Sequence, residues 1–176
     1  LNRGSIGDVV LHNTVIKNGD ALAGTPGKSH QRSYFRNNLF IGGKGGTWNT
    51  WSSGSGRIVY LPYAHSNGSY DYDGFGSLVG NFSGKVGSTT FSSFSQLRAN
   101  TSYKHAVKVD LSIFAKGVAF PANPFPARTP PDLRLKQGAA VDRGLVIPNI
   151  TDGYKGKAPD LGALELGAAM PKYGPR

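Results

Sequence analysis

Cysteine is absent from the 176 residues, which excludes disulfides, thiolate metal sites and a cysteine nucleophile and leaves the compartment open. Glutamate is nearly absent too, occurring once, at Glu165. Long runs of helix formers are missing, while glycine is abundant at 25 residues, a combination that favours β structure with many turns. No stretch approaches the roughly 18 apolar residues of a membrane-spanning helix, so no membrane partner is expected. No signal peptide is visible and the chain starts at Leu1, so an upstream segment, removed or missing, is expected. The glycine-rich stretch 42–46 lacks the Gly-x-x-x-x-Gly-Lys-Ser/Thr spacing and the following helix of a phosphate loop, which discards nucleotide binding. The four histidines show no metal-ligand spacing. Negative charge is scarce as well. Twenty Lys and Arg face 10 acidic residues, a formal net charge of +10, and such a surface attracts polyanions. Acidic polysaccharide fits this balance. Nucleic acid is set aside, because the basic residues form no run and match no recognition motif. Asn-x-Ser/Thr sequons begin at Asn67, Asn81, Asn100 and Asn149 and matter only in a eukaryotic secretory context.

What is present is a repeat. Asp8-Val9-Val10-Leu11-His12-Asn13-Thr14-Val15-Ile16 is echoed 25 residues later by Ser33-Tyr34-Phe35-Arg36-Asn37-Asn38-Leu39-Phe40-Ile41. Each copy is an apolar strand, a polar pair ending in Asn, and a second apolar strand. A fixed period in strand-rich sequence signals stacked coils of a solenoid. The echo predicts Val9 beside Tyr34 and Ile16 beside Ile41, with Asn13 and Asn38 at a corner where stacked amides form a ladder. A coil cannot bury its apolar side alone, so either missing N-terminal coils or another chain is expected over the first one. The chain reads as one domain, 1–176. Residues 1–63 hold coils, with the strand in 57–63 belonging to a third coil. Residues 64–130 hold loops and one short helix, and 131–176 hold closing strands. The helix is placed at 91–101, where Ser93 and Gln96 have capping-box spacing. A strand-like run follows in 106–120, and the prolines of 121–131 suggest an extended crossing. Leu133-Arg134-Leu135 and Leu161-Gly162-Ala163-Leu164 are expected to close the open end of the solenoid.

These units resemble the coils of right-handed parallel β-helix proteins, the pectin-lyase-like group. The similarity continues through Asp71-Tyr72-Asp73-Gly74-Phe75, Phe91 to Leu97, Lys104-His105, Leu133 to Gly144 and Ala158 to Glu165. The resemblance implies an all-β fold: the C-terminal coils of a parallel β-helix with a loop-rich closing segment. It implies a secreted protein, and a group that includes polysaccharide lyases, glycoside hydrolases, epimerases and non-catalytic adhesins. Lyases of this group often use Lys or Arg as base, sometimes with calcium.

Lysis by β-elimination needs a base beside a uronate carboxylate and a cation to neutralise that carboxylate. Candidates are His30, Arg32, Arg36, Lys104 and His105. On an unbroken strand Arg32 and Arg36 would share a face; the plain alternative is solvated surface cations. Hydrolysis needs two carboxylates, and Asp71 and Asp73, roughly 6.5–7 Å apart at Cβ on an extended strand, permit either glycosidase spacing of roughly 5–9.5 Å. Against this, a Tyr/Asp turn could spend both carboxylates on backbone amides, and a calcium ion is a third option. Trp48, Trp51, Tyr70 and Tyr72 are candidates for stacking on sugar rings or for anchoring loops. The functional expectation is part of a secreted carbohydrate-active protein, lyase-like on an acidic polysaccharide. The alternative is a non-catalytic cap, stalk or adhesin segment.

Overall fold

The computed structural model describes residues 4–24, 29–119 and 131–170. It is predominantly β, with mostly parallel strands. A first sheet joins β1 (Val9–Leu11), β4 (Tyr34–Arg36) and β9 (Ser69–Tyr70). A second joins β2 (Thr14–Lys17), β5 (Leu39–Gly42), β10 (Gly74–Ser77) and β13 (Val107–Lys108). A third joins β3 (Leu22–Ala23), β8 (Val59–Leu61) and β11 (Gly84–Val86), with β12 (Thr89–Phe91) antiparallel at its edge. The chain visits the three sheets in turn, three times, and every pairing between successive rounds is parallel. This order is compatible with a β-helix-like fold.

The 25-residue echo sets the register: Val9 pairs with Tyr34 and Ile16 with Ile41. The Asn ladder forms as well. Asn13 Nδ2 donates to Asn38 Oδ1 (3.0 Å), and Asn38 Nδ2 donates to Asp73 Oδ1 (2.8 Å). Asp73 is thus the third rung, one round further on and 35 residues later. A hairpin, β6 (Thr47–Trp48) and β7 (Trp51–Ser52), is inserted between β5 and β8 and lengthens the second round.

Strand β5 explains the double-sided core. Phe40 joins the cluster enclosed by all three sheets, with Phe35, Ile58, Leu61, Tyr70, Phe75 and Tyr103. Its neighbours Leu39 and Ile41 face the other way, against Val109, Phe114, Leu135, Val141 and Leu161. A strand buried on both faces reads as an unbroken apolar run, as Leu39-Phe40-Ile41 does. The helix α1 (Phe94–Asn100) forms with Ser93 as its cap, accepting from the Gln96 N–H, while the Gln96 side chain accepts from the Ser92 N–H. Leu97 is its buried anchor.

Four expectations need correction. The strand within 57–63 is β8, and it completes the second round over β3 rather than opening a third coil. Residues 64–90 are not simply loops but hold β9, β10 and β11, a full round. The periodic apolar signal fails there because β10 carries Gly74 and Gly76. A Cβ on Gly74 would sit 2.6 Å from Leu39 Cδ2, and one on Gly76 2.7 Å from the Val109 carbonyl oxygen. The run in 106–120 forms only the two-residue β13 before a 3-10 turn at Leu111–Ile113. Within 131–170 no closing strand forms; one antiparallel bridge, Phe114 to Leu135, is the regular pairing among the described residues there. This segment covers the outer face of the second sheet. The crossing expected at 121–131 lies outside the described residues, except for Pro131.

Candidate functional site

The ladder Asn13–Asn38–Asp73 lines one side of the corner between the first and second sheets. The residues just before it form a parallel column: His12, Asn37, Tyr72 and, before Ala106, His105. The first three have positive φ of 50°, 60° and 56°, which turns the chain sharply at each level. Asn tolerates that conformation; the others adopt it because the stack on either side fixes them. At the upper end Asn37 Nδ2 contacts His12 Nε2 (3.0 Å) and His12 Nδ1 contacts the Gly162 carbonyl (3.2 Å). The amide N–H can only donate, so Nε2 accepts and Nδ1 carries the proton. The neutral ring fits the lowered pKa of His12, caused by burial and opposed by the Gly162 carbonyl and by Glu165 and Asp160.

At the lower end the Tyr72 ring stacks on the His105 imidazole, with centroids 4.3 Å apart and planes 13° from parallel. Asp71 fixes that imidazole. Its Oδ2 lies 2.7 Å from His105 Nδ1, and its Oδ1 accepts from the backbone N–H groups of His105 (2.7 Å) and Tyr72 (2.9 Å). Asp71 is mostly enclosed and the His105 side chain is 57% exposed. A carboxylate on Nδ1 holds the proton there and leaves Nε2 as the basic nitrogen of the neutral ring.

Tyr72 and His105 line a cleft of about 510 Å³, with Asp71 behind the imidazole. Arg98 of α1, Lys108 of β13 and Arg143 of the covering segment also line it, with Phe94 and Asp142. Arg98 is steadied by a bond from its Nε to the Lys104 carbonyl (2.9 Å), and Lys108 Nζ lies 4.3 Å from the Phe82 ring centroid. Asp142 is committed to structure. Its Oδ1 accepts from the Ala158 and Lys157 N–H groups, which hold its carboxyl below the usual carboxylate range. The cleft is therefore lined by three cations, one committed acid and a histidine that a carboxylate orients.

Of the residues singled out from sequence, the fold brings Asp71, Tyr72 and His105 together. Asp73 is fully buried, and Tyr72 with its positive φ interrupts the extended chain between the two aspartates. Asp71 and Asp73 therefore share no face. With one bound to His105 and the other to Asn38, they do not fit a shared calcium. Burial pushes Asp73 up to about 7, against the opposing pull of the Asn38 N–H groups and of Arg36. Arg36 is also enclosed: its guanidinium donates to the Phe35 and Ser69 carbonyls and the Ser69 hydroxyl and lies over the Tyr34 ring. Arg32 is exposed, and its positive φ of 54° breaks the strand that would have aligned it with Arg36. His30 is fully buried at another corner, in a bridge with Ala64, and Tyr70 is buried between Phe35 and Tyr103. Lys104 is exposed and bonds the Ala99 carbonyl near the end of α1. Trp48 pairs with Trp51 in the hairpin, where Trp51 is 72% exposed, away from the cleft residues. Among the described residues no group of three or more His, Cys, Asp or Glu is placed to hold a metal ion.

Arg98, Lys108 and Arg143 were not legible as site residues. The column itself offered a signal, because extending His12-Asn13 and Asn37-Asn38 to Tyr72-Asp73 and His105-Ala106 gives its four levels. Comparison of the chain with protein-family models, curated proteins and solved structures finds no match.

Proposed function

We propose that the chain is part of a secreted, right-handed parallel β-helix of the pectin-lyase-like kind, lyase-like on an acidic polysaccharide. The observation that carries this is the Asp71–His105 pair in a cleft bearing Arg98, Lys108 and Arg143. In β-elimination His105 Nε2 takes the proton from C5 of a uronate, the C–H electrons form the C4–C5 double bond, and the C4–oxygen bond breaks. The leaving oxygen takes a proton from water, and the His105 imidazolium returns its proton to the hydroxide so formed. The cations neutralise the C6 carboxylate and stabilise the charge that develops beside it. A positioned base of this kind contributes about 10²–10⁴-fold.

The preceding coil expected over the first round has support in the ladder. Asn38 is both acceptor and donor, and Asp73 Oδ1 accepts from it. Asn13 donates downward, and its own side-chain oxygen is the position a further rung would use. A non-catalytic role as cap, stalk or adhesin is favoured by one separate feature, the exposed Trp51 on its hairpin, a surface suited to stacking on sugars. Incubation with polygalacturonate and alginate decides between them. Rising absorbance of unsaturated uronate, lost in His105→Ala, supports the lyase. Binding without that absorbance supports the adhesin.

A further inference from the structure

The cleft stands at the lower two levels of the column, Tyr72 and His105. At the next level the covering segment crosses the column. Asn37 holds that crossing by a two-point bond: its Oδ1 accepts from the Leu145 N–H (2.7 Å) and its Nδ2 donates to the Leu145 carbonyl (2.9 Å). Gly144, a wall residue of the cleft, is pressed so closely here that a Cβ on it would lie 2.7 Å from the Pro159 carbonyl oxygen and 3.0 Å from Asn37 Cγ. Its own N–H bonds that same carbonyl at 2.7 Å. Beyond the crossing lies a separate cavity of about 200 Å³, lined by His12, Thr151, Tyr154, Gly162 and Glu165. A polymer running along the column would have to pass through backbone at Gly144–Leu145.

We infer that the cleft receives the end of an acidic polysaccharide chain, and that the Asn37–Leu145 crossing is the specificity element that refuses the interior of the polymer. This rests on the reading of the cleft as a uronate site. Three cations lining a pocket of this size match a short anionic segment, and the crossing bounds the pocket at Gly144. Asn37 is a positioning residue here: it touches the crossing and not the sugar.

The test is binding stoichiometry, measured in titrations over which no unsaturated-uronate absorbance accumulates. Galacturonate oligomers of increasing length and sheared polygalacturonate of known mean length are titrated into the protein at low salt by calorimetry. One protein per chain at every length, with constant affinity per chain, is the expected result. A number of proteins per chain that grows with length overturns the chain-end inference and leaves the uronate site standing. No binding of any uronate overturns the site reading itself. Asn37→Asp keeps the acceptor for the Leu145 N–H but loses the donor to its carbonyl. If its far-ultraviolet spectrum matches the parent, its stoichiometry on the polymer should rise above one. An unchanged value in a folded Asn37→Asp protein overturns the assignment of the crossing, and if the variant does not fold, the parent titration decides alone.

Discussion

The three rounds of strands and the segment 131–170 bury comparable cores by opposite means. In the rounds the strands pair backbone to backbone with the next level, and side chains repeat in register: Thr14, Leu39, Gly74 and Val107 stand in one file. In 131–170 almost no backbone pairs with backbone in regular fashion. Side-chain carboxylates and amides take that role instead. Asp160, buried, accepts from the Asp142 and Leu166 N–H groups; Glu165 accepts from Lys155 and Asp160; Asn37 holds Leu145. Repetition lets one rule place many residues, whereas an irregular cover needs a dedicated anchor at each bend. The cleft lies on the seam, with His105 and Lys108 from the rounds and Arg143 from the cover.

The largest effect is expected where the rounds depend on one side chain. Asn38→Ala removes the middle rung and with it the side-chain bonds to Asn13, Asp73 and the Val10 carbonyl, leaving Asp73 the bond from the Asn38 backbone N–H. The cost should be roughly 3 kcal/mol or more in chemical denaturation. A loss below about 1 kcal/mol would mean the ladder contributes no more than a surface contact.

The same rung sets a pH response. Asp73 titrates at about 7 in the folded protein against an ordinary 3.8. Between those values the folded state holds a proton that the unfolded chain has released, so stability falls as pH rises from about 4 to 7. In Asp73→Asn that part of the slope should vanish, which denaturation at a series of pH values measures. A parent whose stability rises steeply across the window contradicts a protonated Asp73.

The covering segment is probed by Asp160→Ala, which leaves two half-buried N–H groups without their acceptor at a cost of about 2 kcal/mol. Hydrogen exchange should accelerate in 131–170 while β5 and β10 keep their protection. Uniform acceleration throughout would show that the two regions unfold as one unit.

Smaller effects are expected at the seam. His105→Ala should cost about 1 kcal/mol, since Asp71 Oδ2 loses its partner and Tyr72 its stack, yet abolish the proposed elimination activity and weaken uronate binding. The +10 charge makes that binding salt-dependent, and it should weaken steeply between low and physiological ionic strength. Smallest of all, Trp51→Ala should leave both stability and the cleft untouched and reduce only retention on an immobilised glycan.

The first two rounds could be read from residues because their strands obey a period and carry large apolar side chains. Val9, Tyr34, Ile16 and Ile41 are matched by sequence and are paired in space. The third round escaped because glycine replaces those side chains where neighbours come too close, and because inserted segments stretch the period from 25 to 35. Asp71, Tyr72 and His105 were visible as candidates, but residue type alone cannot separate Asp71 from Asp73. Two positions apart, one holds the cleft histidine and the other closes an interior ladder, since the positive φ of Tyr72 turns the chain between them.

The sequence by itself determined the β-rich composition, the stacking register, the capped helix and the basic balance, all of which are local or periodic properties. The tertiary structure alone decided that Arg98, Lys108 and Arg143 meet around His105. It alone decided that Arg36, His30 and Tyr70 are enclosed, and that the chain after residue 131 wraps a sheet face. These depend on which distant segments bury against one another, and burial is a property of the assembled surfaces that no single stretch of chain encodes.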